Sequence, residues 1–162
     1  MCIRDRYSEK ITECKVDYDV IFGPSYKGIP LAAAVATVLN QKASKKIPIC
    51  FDRKEEKDHG EGGALVGSVK NKKVLIIDDV LTAGTALKNS IKLIQESGGT
   101  ISAALIALDR QEQDEGEQVS KKLVNELNIP IFSISNLENL VVYLETSEKS
   151  GIAKKLKASS KS

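Results

Sequence analysis

Five short apolar runs punctuate the chain, at residues 20–22, 47–51, 74–77, 101–108 and 129–134. They are rich in Val and Ile and nearly continuous, as strands are when both of their faces are covered. Helical patterns lie between and after them. Residues 29–41 are rich in Ala, Leu and Val. Residues 86–97 set Leu87, Ile91 and Ile94 at steps of four and three, and Gly98-Gly99 follows as a stop signal. Shorter helices are predicted at 119–127 and 137–144. Strands alternating with helices imply βαβ units, so the expected fold class is α/β, with an open, mostly parallel sheet flanked by helices. Residues 1–15 are polar and read as an irregular start. They are either a flexible terminus, or the mark of a missing N-terminal part with Met-Cys-Ile-Arg-Asp-Arg as non-native sequence. Residues 16–146 form the expected single domain, and the Lys- and Ser-rich stretch 147–162 is a final helix or a frayed tail.

Composition narrows the chemistry. Of 162 residues, 41% are apolar, enough for a core, and 24 basic against 22 acidic side chains leave a net charge of +2. A near-neutral chain has no global field for a nucleic-acid backbone, so anion binding must come from local clusters. No apolar run approaches the ~20 residues that span a bilayer, and residues 1–6 lack the apolar stretch of a secretory signal. Three cysteines, Cys2, Cys14 and Cys50, form no C-x-x-C pair. The expected location is therefore cytoplasmic, with neither a disulfide framework nor a structural zinc. A single histidine, His59, excludes sites built from several.

The segment Val74-Leu-Ile-Ile-Asp-Asp-Val-Leu-Thr-Ala-Gly-Thr-Ala86 runs from a strand through two acids and a small-residue loop into a helix. In open α/β sheets ligands bind beyond the carboxyl ends of the strands. Small residues let a ligand approach the backbone, and amides at a helix N-terminus cradle an anion. A phosphate suits this loop, with Asp78 and Asp79 beside it to accept from sugar hydroxyls or orient hydrated Mg²⁺. Read plainly, the same residues are a strand end and a well-capped helix start. Phe51-Asp-Arg-Lys-Glu-Glu-Lys-Asp-His-Gly-Glu-Gly-Gly-Ala-Leu-Val-Gly67 packs charge ahead of Gly60, Gly62, Gly63 and Gly67, which reads as a long loop with hinge-capable glycines. Alone it is a solvated surface loop; beside a phosphate cradle, Arg53, Lys54, Lys57 and His59 are the cations a diphosphate needs. Phe22-Gly-Pro-Ser-Tyr-Lys-Gly-Ile-Pro30 is another strand, turn and helix start, with Tyr26 and Lys27 aimed at the same sheet edge. It is no Walker A loop, because Ile29-Pro30 stands where Lys-Ser/Thr is required. Arg110, at the end of a further strand, is suited to a bidentate carboxylate pair or to a surface ion pair.

These segments together resemble the type I phosphoribosyltransferases, and orotate phosphoribosyltransferase in particular. The acid pair followed by Thr-x-Gly-Thr looks like that family's signature for 5-phosphoribosyl 1-diphosphate (PRPP). Gly-Pro-x-Tyr-Lys-Gly matches its diphosphate-contacting turn, and Arg-Lys-x-x-Lys-Asp-His-Gly-Glu-Gly is similar to its catalytic loop. The resemblance spans residues 16–144. It implies that Lys57, His59, Asp78 and Asp79 are catalytic. It also implies that Tyr26, Lys27, Arg53, Lys54, Lys57, His59, Asp78, Asp79, Val80, Leu81, Thr82, Ala83, Gly84, Thr85 and Ala86 bind PRPP, and that Thr82 and Arg110 contact orotate. Mg²⁺ is implied as cofactor, held through PRPP and water rather than directly. The implied assembly is a homodimer with shared active sites, free of nucleic-acid and membrane partners. The implied reaction is PRPP plus orotate to orotidine 5′-monophosphate and diphosphate; a transferase for another base, or a PRPP-binding regulator without activity, is the alternative. The family's N-terminal segment, with a Lys and two aromatic residues lining the orotate pocket, has no counterpart before Val16, so part of the base-binding half is expected to be missing.

Overall fold

The computed structural model describes residues 2–42, 46–53, 64–147 and 149–159. Its centre is a six-stranded sheet with strand order β3-β2-β1-β4-β5-β8. The strands are β1 (Val20–Phe22), β2 (Ile49–Asp52), β3 (Leu65–Val66), β4 (Lys73–Leu81), β5 (Thr100–Asp109) and β8 (Ile131–Asn136). Every pairing is parallel except β2 with the short β3. The predicted mostly parallel sheet is therefore present, with strand ends displaced by at most two residues from the apolar runs, and by four at the end of β4. β4 runs on from Ile77 to Leu81 because β5 pairs with it that far. Pairing, not hydropathy, carried the strand through the two acids.

Alternation along β4 divides the core. Val74 and Ile76 face one layer with Leu87, Ile91 and Ile94 of α3 (Thr85–Glu96) and Val119 and Leu123 of α4 (Val119–Leu127). Leu75 and Ile77 face the other layer, with Ala32, Val35 and Ala36 of α2 (Gly28–Lys42). Both faces are covered, which is why the run reads as unbroken hydrophobicity. Two short strands, β6 (Gln113–Asp114) and β7 (Glu117–Gln118), form a separate hairpin ahead of α4. Helices α5 (Leu137–Thr146) and α6 (Ser150–Ser159) pack as a satellite around Val141, Leu144 and Ala153. The tail thus takes the helical of its two expected forms.

The start of the chain is a correction. Residues 3–14 are not irregular but form α1 (Ile3–Cys14), packed on the same layer as α2. Tyr7 and Ile11, one turn apart, are buried, and the polar remainder is stitched by Arg6–Glu9 at 3.0 Å and Lys10–Glu13 at 3.5 Å. So narrow an apolar stripe leaves half of the positions charged, so the segment shows little helical periodicity. Lys15, at φ 49°, ends the helix in the left-handed region.

Candidate functional site

Strand order reverses between β1 and β4: β2 and β3 lie beyond β1, and β5 and β8 beyond β4. Ligand crevices of open α/β sheets form at such a switch, outside the carboxyl ends. Two of the chemistry-bearing segments leave the sheet on either side of it. From β1 the chain turns at Gly23-Pro24, where the Gly28 N–H donates to the Pro24 carbonyl at 2.9 Å. A Cβ on Gly23 would stand 2.3 Å from the Gly28 carbonyl oxygen, so this turn has no room for any other residue there. The Ser25–Tyr26 peptide is cis. From β4 come Asp78 and Asp79. Lys27 Nζ meets Asp79 Oδ2 at 3.0 Å and bridges the two segments across the switch.

The acids are not equivalent. Asp78 is partly buried, and burial, reinforced by the neighbouring Asp79 charge, pushes its carboxyl up to about 6. Its Oδ1 accepts the Asp79 N–H at 2.9 Å, and Asp79 Oδ1 accepts the Val80 N–H at 2.9 Å. The Lys27 ammonium is held above its ordinary value by its hydrogen bond to Asp79. Such a cluster presents carboxylates to hydroxyl donors and a cation to a nearby anion.

Beyond them the loop turns through Thr82, Ala83 and Gly84 into α3. Gly84 has φ +78°, and a Cβ there would lie 2.7 Å from Leu123 Cδ1. The glycine expected to admit a phosphate is buried against α4, and its freedom serves the left-handed turn. Leu81 is also buried, so it offers the loop only its backbone, and its carbonyl already accepts the Arg110 N–H at 3.1 Å. Val80, Ala83, Thr85 and Ala86 are exposed and Thr82 half-buried. The first amides of α3 have no partner within the helix and open on the same side. A hard-acid metal such as Mg²⁺ fits carboxylate oxygens, yet among the described residues no group of three His, Cys, Asp or Glu is assembled to hold one. The donors on hand suit an ion that keeps other ligands.

Arg53 stands at the foot of the charged segment, its N–H on the Ala64 carbonyl at 2.8 Å, which closes the β2–β3 ends. Lys54, Lys57 and His59 lie outside the described residues, as do Gly60, Gly62 and Gly63. Gly67 is described and is no open hinge: at φ +91° a Cβ would sit 2.9 Å from the Ile49 carbonyl oxygen. Arg110 pairs with Glu112 at 3.3 Å and remains half exposed, next to the loop through its backbone bond to Leu81. Cys2, Cys14 and Cys50 are free, and burial pushes the Cys50 thiol up to about 11, which makes it inert.

Asp52 was not singled out by its sequence. Its carboxylate takes the Ser25 N–H and the Ser25 hydroxyl, each at 2.6 Å, and so anchors the Gly-Pro turn. Its position at a strand end, one residue before Arg53, was the available signal. Tyr7 also went unread, because nothing local in α1 points to the acid pair 71 residues away.

Known proteins with this architecture are consistent with the geometry. The Phosphoribosyl transferase domain family matches residues 3–137. An orotate phosphoribosyltransferase of Acinetobacter baumannii (strain ACICU) is 49% identical over 150 residues, covering 91% of this chain and 69% of that protein. One of Salmonella newport (strain SL254) is 44% identical over 153 residues, covering 94% and 71%. The crystal structure of orotate phosphoribosyltransferase from Francisella tularensis superposes with a TM-score of 0.79 at 36% identity, over 96% of this chain and 74% of that one.

Proposed function

The chain belongs to the orotate phosphoribosyltransferase family, and from that premise we propose that it transfers the 5-phosphoribosyl group of PRPP to orotate. The products are orotidine 5′-monophosphate and diphosphate, a step of pyrimidine nucleotide biosynthesis. The observation that carries the reading is the Lys27–Asp79 bridge across the strand-order switch. A cation beside a pair of acids, at the edge where an open sheet binds ligands, supports a diphosphate next to a ribose there.

Thr82 to Ala86 hold the 5-phosphate through loop amides and hydroxyls, with Val80 and Leu81 lending backbone. Asp78 and Asp79 accept from the ribose hydroxyls. Tyr26, Lys27, Arg53, Lys54, Lys57 and His59 surround the diphosphate. Charge leaves the anomeric carbon with the diphosphate, and fixed cations placed where that charge develops stabilise the transition state more than the bound substrate. Asp78 and Asp79 would orient a hydrated Mg²⁺, which would supply positive charge at the leaving group. Closure of the segment around His59 excludes water from a cationic sugar. Thr82 and Arg110 face the base, the Arg110 guanidinium exchanging Glu112 for the orotate carboxylate. The enzyme is a homodimer whose sites are shared, and three unpaired cysteines suit the reducing cytoplasm.

Product formation is measured with PRPP, Mg²⁺ and each of orotate, uracil, adenine and hypoxanthine. Orotate alone is expected to yield nucleotide. Turnover of another base with none of orotate overturns the base assignment, and PRPP binding without turnover of any base leaves a binding protein.

A further inference from the structure

Tyr7 has the most buried side chain of α1, and its hydroxyl reaches 71 residues along the chain to the acid pair. It donates to the Asp78 carbonyl at 2.6 Å, and the ring is fully buried. The β4–β5 ladder registers this. Its pairs run through Ile77↔Leu105 and Asp78↔Ile106, then resume at Val80↔Leu108 and Leu81↔Asp109. The Tyr7 hydroxyl meets β4 next to this interval, on the Asp78 carbonyl.

A consequence follows from the planarity of the peptide group. The carbonyl that Tyr7 holds and the Asp79 N–H belong to one peptide unit, and that N–H donates to Asp78 Oδ1 at 2.9 Å. Fixing the carbonyl therefore fixes the direction of the N–H, and with it the Asp78 carboxylate. Asp79 starts from the same unit and meets Lys27 at 3.0 Å. We propose that Tyr7 is a positioning residue for PRPP, aiming both carboxylates through the Asp78–Asp79 peptide. This rests on the transferase reading above. Burial and the two neighbouring acids raise the phenol's pKa well above its ordinary value, so the hydroxyl keeps its proton and its role as donor throughout the working range.

The test is PRPP binding by calorimetry with Mg²⁺, alongside orotate turnover and thermal unfolding, on the whole chain. Tyr7→Phe keeps the ring and removes the hydrogen bond to the Asp78 carbonyl. PRPP affinity is expected to fall about tenfold and turnover with it, while the KM for orotate stays within twofold. In an Asp78→Asn/Asp79→Asn background the same substitution should cost less than twofold, because both carboxylates it aims are already gone. A full tenfold loss in that background, or PRPP affinity unchanged by Tyr7→Phe, overturns the proposal. Wild-type chain that does not bind PRPP, or Asp79→Asn that binds as well as wild type, overturns the transferase reading instead. If Tyr7→Phe does not fold, 3-fluorotyrosine placed at position 7 keeps the ring and sharpens the donor. It must then shift PRPP affinity by at least twofold, and no shift counts against the proposal.

Discussion

At the scale of single residues, Asp78 and Asp79 show how one environment gives two acids different work. Asp79 is nearer solvent and paired with Lys27, so its charge is the more readily removed without harm to the fold. Asp79→Asn should leave thermal unfolding within a few degrees while turnover falls by roughly 10- to 1000-fold; unchanged turnover removes it from the site. Asp78 carries a cost for its position. Its carboxyl titrates near 6 when folded against 3.8 for an unperturbed one, so the folded chain holds that proton more tightly than the unfolded chain. The stability contribution is then lost as pH rises from about 4 to 6, and the full penalty stands above 6. A shift of that size discounted for partial exposure is on the order of 1–2 kcal/mol. Asp78→Asn keeps an acceptor for the Asp79 N–H and should therefore be more stable than wild type at pH 7, with the gain gone at pH 4. Urea unfolding at both values decides this, and an equal or lower stability at pH 7 refutes it. The same titration predicts that kcat/KM for PRPP declines below about pH 6; a flat profile down to pH 5 would mean the Asp78 charge is not used.

At the scale of elements, the phosphate loop depends on packing from behind. Gly84 sits at the α3 N-cap with a left-handed φ and with Leu123 of α4 where a side chain would go. Gly116 has a similar φ, +86°, but nothing lies within 4 Å of its missing Cβ. The two form an internal comparison. Gly116→Ala should cost about 1 kcal/mol, the strain of the left-handed region for a residue with a Cβ. Gly84→Ala adds the clash and should cost about 2–4 kcal/mol, with PRPP affinity falling as the loop shifts. Denaturant midpoints compare them; equal losses would show that α4 yields freely and does not brace the loop.

At the scale of the whole molecule, the question is which chain's charged segment serves which site. We take Lys57 to reach the PRPP site of a symmetry-related copy, and isologous symmetry then makes two equal shared sites. Asp79→Asn and Lys57→Ala homodimers should each be nearly inactive. Mixed dimers hold one site with both parts sound and one with both defects. Random exchange makes about half of the dimers mixed, so roughly a quarter of wild-type activity should return on mixing. Mixed dimers that form, seen by mass spectrometry, yet restore nothing would show that each segment serves its own chain.

The order of β1, β2, β4, β5 and β8 and of α2 to α5, the acid pair, the Thr-Ala-Gly-Thr loop and the Gly-Pro turn were legible from the chain alone, because each is written in neighbouring residues: unbroken Val and Ile runs, glycines at turns, acids at a strand end. Periodicity also placed α3 and α4 to within a residue, since their apolar stripes are strong. Three things were decided only by tertiary structure. α1 is held by two buried apolar residues and contact with α2, too few to leave a periodic mark. β4 extends through Asp78 and Asp79 because β5 supplies hydrogen bonds that outweigh the low strand preference of the acids. Asp52 on Ser25, Lys27 on Asp79 and Tyr7 on Asp78 join segments 27, 52 and 71 residues apart. Local sequence reports what a residue offers its neighbours in the chain; which distant group receives it depends on where the folded sheet brings the strand ends.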